Sequence, residues 1–135
     1  MKSFLLMSLL LAGSAIAAPI VELSKISGRA VKEVEKLLGP PTETAKTEKG
    51  PKRIYKDGSI EVVYINEKAD WITVTPTKKI PFTKDALKEL GLEVTPPTFS
   101  NEHVMRWESL KDYQSISIFP GPNGIDYIYV MTKTK

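Results

Sequence analysis

The sequence has no cysteine and a single histidine, His103. Zinc sites of the usual ligand types and Cys-His catalysis therefore have nothing to build on, and a Ser-His-acid arrangement would rest on His103 alone. No G-x-S-x-G elbow occurs, and no glycine-rich loop precedes a helix where it could cradle a phosphate. Long apolar runs are missing as well: none approaches the ~20 residues that a spanning helix needs. Charge of one sign is not in excess, with 19 basic against 16 acidic side chains. Lys46, Lys49, Lys52, Arg53 and Lys56 form an apparent basic run, but Glu43, Glu48 and Asp57 interrupt it, so a solvated loop explains it and no nucleic-acid partner is expected. Without disulfides, packing alone must stabilise the fold.

What is present begins with an address. Lys2, the apolar stretch Phe4 to Leu11 and the small residues Ala15-Ile16-Ala17 have the layout of a secretory signal, residues 1–17, with cleavage expected after Ala17. Removing it takes away one lysine and leaves 18 basic and 16 acidic residues over 18–135. A periplasmic or extracellular location is expected. The absence of a lipid-bearing cysteine and of a spanning run implies no stable membrane anchor.

The remaining chain suits one modest domain and carries an internal similarity. A shift of 56 residues puts Pro40-Pro41-Thr42 on Pro96-Pro97-Thr98, Ser59-Ile60 on Ser115-Ile116, and Asp70, Ile72 and Val74 on Asp126, Ile128 and Val130. Two repeats are expected, 18–78 and 79–135, joined in one compact domain. In the first, Ser27 can cap a helix with the stripe Val31, Val34, Leu37 and Leu38, Ile26 can staple onto Val31, and Gly39-Pro40 ends it. In the second, Thr83 caps, Phe82 staples onto Leu87, Leu90 completes the stripe and Gly91 closes a shorter helix. Polar connections over 43–52 and 99–103 follow. Strands are then expected at 53–55, 59–65 and 69–75, and at 104–108, 113–119 and 125–132. The expected fold is α+β: a tandem repeat of a helix plus an antiparallel β-meander, with the helices packed on one face of the sheet.

Strand alternation assigns faces. Ile72, Val74, Ile128 and Val130 point to the core. Trp71, Thr73 and Thr75, with Ile125, Tyr127, Tyr129 and Met131, point the other way. If both helices share one side, this second face is left uncovered, and Trp and Tyr there supply contact area with a polar handle. Trp71, Thr73, Tyr127 and Tyr129 are the candidate partner-binding residues. No catalytic residue, metal ligand or cofactor is assigned. Asp70 and Asp126, the only repeated acids, are expected to shape turns where their strands begin.

The run Gly28-Arg29-Ala30-Val31-Lys32-Glu33-Val34-Glu35-Lys36-Leu37-Leu38-Gly39-Pro40-Pro41, followed by Tyr55 and the meander over 60–74, resembles the helix and "LGxP" turn of the SmpA/OmlA and beta-lactamase-inhibitor-protein-like (BLIP-like) group of small exported bacterial proteins. The resemblance covers about fifty residues. It implies a two-layer α+β unit, sometimes tandem, whose sheet binds other proteins. Ala30 departs from the usual Ser or Thr two residues after the glycine, and the lipid-bearing cysteine of the outer-membrane members is absent.

The expected function is a non-catalytic protein-binding module, either an inhibitor of an exported enzyme or an envelope-assembly factor. The alternative is a small envelope hydrolase or ligand carrier using His103 with Asp126 or Glu102. The chain is expected to be a monomer, or a weak dimer through an unpaired edge at 53–55 or 125–132.

Overall fold

A computed structural model describes residues 18–133. The expected signal segment, 1–17, lies outside the described residues. Eight strands form a single antiparallel sheet: β1 (Glu43–Lys46), β2 (Pro51–Tyr55), β3 (Ile60–Ile65), β4 (Lys68–Val74), β5 (Phe99–Ser100), β6 (Met105–Leu110), β7 (Tyr113–Gly121) and β8 (Gly124–Thr132). Their spatial order is β1-β2-β3-β4-β8-β7-β6-β5. The two halves are joined where β4 pairs with β8, through Ile72↔Val130 and Val74↔Ile128.

This corrects the expected fold class. The described residues form no tandem of helix-plus-meander units with a layer of helices on the sheet. They form a mostly β structure with one eight-residue helix, α1 (Val31–Leu38), and three 3-10 segments at Leu23–Lys25, Lys56–Gly58 and Lys84–Leu90. The segment expected to be the second helix takes the tighter 3-10 form over Lys84–Leu90. Gly91 does close it in the left-handed region, its N–H reaching Lys88 O at 3.0 Å.

Ser27 is not the cap of α1. Gly28 N–H donates to Ala69 O and Ala69 N–H to Arg29 O, both at 2.8 Å, and Ala30 bridges Lys68. This pairing with the start of β4 holds the chain extended through Ala30, so the helix begins only at Val31. Leu37, expected in the inward stripe, is 51% exposed, whereas Val34 and Leu38 are buried.

Both expected polar connections contain a strand, β1 in 43–52 and β5 in 99–103. β1 and β5 are the two edges, and at an edge the apolar alternation that marks a strand is not required. All four residues of β1 are polar or small, and none is buried. The expected free edges are consequently internal: 53–55 lies within β2, between β1 and β3, and 125–132 within β8, between β4 and β7.

What does recur is strand pairing. Ile60↔Val74 and Val62↔Ile72 in the first half correspond to Ile116↔Val130 and Ile118↔Ile128 in the second, each residue displaced by 56. Thr73 and Tyr129, themselves 56 apart, pair with each other where the halves meet. The register shift between Val63 and Tyr64 also has its counterpart between Phe119 and Pro120.

One hydrophobic cluster lies on one side of the sheet. It joins strand residues such as Tyr55, Val62, Ile72, Trp107, Ile116 and Val130 to Leu23, Ile26, Val34, Leu38, Leu87 and Leu90. Short helical pieces and irregular chain make this covering. On the same side Tyr55 and Tyr64 share a hydrogen bond of 2.7 Å, and Arg53 donates to Glu35 Oε1 at 2.7 Å, tying β2 to α1. Burial pushes both tyrosine hydroxyls upward, so they stay neutral partners.

Candidate functional site

Residues paired across neighbouring strands share a face, so the register determines what the opposite side presents. From the second half it receives Arg106 and Glu108 of β6, Ser115, Ser117 and Phe119 of β7, and Tyr127, Tyr129 and Met131 of β8. From the first half it receives Trp71 and Thr73 of β4, with Val63 and Glu61 of β3 opposite them.

The four sequence-predicted site residues meet on this face. Thr73 pairs with Tyr129, and the Trp71 and Tyr129 rings sit 6.3 Å apart at 58°. Tyr127 stacks on Phe119 with centroids 4.7 Å apart. These are favourable aromatic geometries, and they leave Trp71 and Tyr129 partly exposed and Tyr127 36% exposed. Lys49, from the β1–β2 turn, places its ammonium 6.0 Å from the Trp71 ring, at the outer limit of a cation–π contact. The single hydrophobic cluster lies on the other side, and none of these rings belongs to it.

Phe119 and Arg106 were missed by the sequence reading. The alternation Ser115, Ser117, Phe119 beside Ile116 and Ile118 was the available signal for the first. Arg106 alternates with Met105 and Trp107, a core pair that could have fixed its face. Ile125 was assigned to the open face and belongs to the core at 9% exposure. The register shift after Phe119 changes the phase, so Pro120 pairs with Ile125 and Asp126 is the extra residue.

Asp70 occupies the matching shift in the first half, between the Val63↔Trp71 and Tyr64↔Ala69 pairs. Neither acid shapes a turn; both sit at bulges inside strands. Asp126 is exposed, whereas Asp70 is only 6% exposed. Burial raises the Asp70 carboxyl above its usual value, and a hydrogen bond from the Thr132 backbone partly offsets the rise. The Tyr129 hydroxyl is raised by burial and then by the negative charge of Asp70. A folded state that holds the Asp70 proton more tightly than the unfolded chain is favoured by acid. This contribution is complete below the unfolded value near 3.8 and is lost as pH rises through the raised folded value. Asp70→Asn should therefore reduce this loss. Urea midpoints against pH for both proteins should show wild type losing stability relative to the variant as pH climbs above 3.8. A difference independent of pH would refute the raised carboxyl.

The face holds an open depression of about 520 Å³ bordered by Arg106, Glu108, Ser117, Phe119, Tyr129 and Met131. It combines two aromatic walls, a thioether, hydroxyls and charges of both signs. Such a mixture suits recognition, because apolar groups supply contact and polar groups fix orientation.

His103 lies elsewhere, in the loop before β6. Asn101 Oδ1 accepts from the His103 and Val104 N–H groups at 2.8 and 2.9 Å, which makes the loop a side-chain-capped turn. His103 Nε2 is 3.3 Å from Glu102 Oε1, but the two side chains are 80% and 85% exposed. Among the described residues no three His, Asp or Glu side chains gather into a metal-binding group, and no helix is long and apolar enough to cross a membrane. Comparison of the chain with family models, curated proteins and solved structures gives no match.

Proposed function

We propose that this chain is an exported, non-catalytic protein-binding module that recognises its partner through the open sheet face around Trp71, Thr73, Tyr127 and Tyr129. The partner is either an exported enzyme that the module inhibits or an envelope component that it helps assemble. The observation that carries this reading is the contiguity of the rings: Trp71 against Tyr129, and Tyr127 against Phe119, on the side of the sheet opposite its hydrophobic cluster. Partly exposed aromatics on a rigid sheet lose little conformational freedom on binding, and truncated aromatics dominate binding losses at protein interfaces. The signal-like segment 1–17 and the resemblance to exported sheet-binding proteins support the same reading.

Affinity capture from a cell-envelope extract, run with wild type beside a Trp71/Tyr127/Tyr129 triple-alanine variant, tests it. Wild type should hold a specific partner, and the variant should bind it more than about 100-fold more weakly, since each hot-spot aromatic contributes about 2 kcal/mol or more. Circular dichroism must match between the two. Equal retention of the partner by a natively folded variant would exclude this face as the interface.

A further inference from the structure

On the open face Arg106 is anchored by a side-chain hydrogen bond and, among the described residues, forms no ion pair. Arg106 lies in β6 between Phe99 of β5 and Ser117 of β7. Its Nε–H donates to Ser117 Oγ at 3.0 Å, and Ser117 is only 4% exposed. Among the described residues four ion pairs form, and Arg106 is in none of them. Glu108, two residues along on the same face, is not within pairing distance. The two Nη groups are therefore available to a ligand at the depression that Ser117, Phe119, Tyr129 and Met131 also border.

A guanidinium presents its donors as a planar fork that matches a carboxylate with two parallel N–H···O bonds. Fixing Nε on a buried hydroxyl before binding reduces the rotamer freedom that this contact would otherwise cost. The surroundings narrow the ligand further. Glu108 borders the same depression, so a dianion such as phosphate meets repulsion there, whereas a singly charged carboxylate can keep to the Arg106 side. The Phe119 and Tyr129 walls favour an apolar group beside that carboxylate.

We infer that this depression is the charge-reading part of the face, taking the side-chain carboxylate of an acidic residue in the partner's docking segment, with an apolar neighbour of that residue against Phe119 and Tyr129. The inference rests on the proposed protein-binding reading and adds the chemistry of the partner.

The test is an amide NMR titration of the protein expressed from its full-length reading frame, using a capped Leu-Asp-Phe peptide and its Leu-Asn-Phe counterpart. The Asp peptide should shift the backbone amides of Ser115, Ser117 and Tyr129 saturably, and the Asn peptide should bind about 10-fold or more weakly, as expected for loss of a charge-assisted pair. Arg106→Gln should abolish the preference, while Arg106→Lys should weaken binding yet keep it. Equal binding of the two peptides to wild type, no saturable binding, or an unchanged preference in a folded Arg106→Gln protein would each overturn the inference. So would inorganic phosphate shifting the same amides as tightly as the Asp peptide. The broader reading is scored separately: an envelope partner that needs the aromatic triad but binds the Arg106→Gln protein unchanged refutes the carboxylate and leaves the face standing.

Discussion

Replacing Trp107 by alanine should remove about 3–5 kcal/mol of stability, the usual loss for truncating a buried large aromatic. Trp107 is 2% exposed and is among the largest buried side chains of the core. Its place in β6, opposite Ile116 of β7, puts the indole on the covered side of the sheet. There its Nε1–H donates to Thr95 O at 3.0 Å, tying down the irregular stretch that leads through Pro96 and Pro97 to β5. The loss is a large part of the roughly 5–15 kcal/mol that a domain of this size has in total. Trp107→Phe separates the two contributions: it keeps most of the apolar contact and loses the hydrogen bond, so it should cost far less, with about 1 kcal/mol of its loss due to that bond. Urea denaturation followed by circular dichroism measures both, the midpoints falling at unchanged slope. If Phe were as damaging as Ala, the hydrogen bond and not the packing would dominate. Because Arg106 directly precedes Trp107, the alanine variant should also disturb the open face.

Two kinds of sequence signal led to the fold and the site, and they succeeded unequally. Alternation worked in the central strands, where one face is buried: Ile72, Val74, Ile128 and Val130 are all in the core, as expected from their period of two. That same period puts Trp71, Thr73, Tyr127 and Tyr129 on the opposite face. Alternation failed in two places, for two different physical reasons. The polar edge strand β1 shows no apolar phase at all. At the bulges the phase changes within a strand, which sends Ile125 inward and leaves Asp70 and Asp126 between paired positions. Helix signals misled more seriously. Caps and staples at Ser27 and Thr83 are local devices: the tertiary pairing of 28–30 with β4 displaced the first, and a 3-10 segment over 84–90 stands in place of the second helix. Arg106 was legible only by counting two residues along β6. Its hydrogen bond to Ser117 joins side chains 11 residues apart across a β-ladder, and no local pattern encodes it.

Gly124→Ala should cost about 3 kcal/mol, from a strained backbone and a lost contact together. Gly124 opens β8 with φ of +112°, a region that residues with a Cβ rarely adopt. A Cβ added there would collide with the Ile80 carbonyl oxygen, so backbone must move. That oxygen is also the acceptor for Ile125 N–H at 2.8 Å, the bond that fastens the crossover between the halves onto the β7–β8 turn. Moving it apart would loosen Ile80 and Ile125, both buried, at the end of the sheet nearest Tyr127. Gly58→Ala supplies the comparison. Its φ of +95° is similarly unfavourable for alanine, but a Cβ there meets nothing within 4 Å. Its loss should therefore fall at the lower end of the roughly 1–3 kcal/mol range for backbone strain, below that of Gly124→Ala. Denaturation midpoints for the two variants, with amide exchange at Ile125, test the difference. Faster exchange at Ile125 only in Gly124→Ala would locate the extra loss in the Ile80 contact, and equal losses with equal exchange would show that the close approach contributes nothing beyond the dihedral.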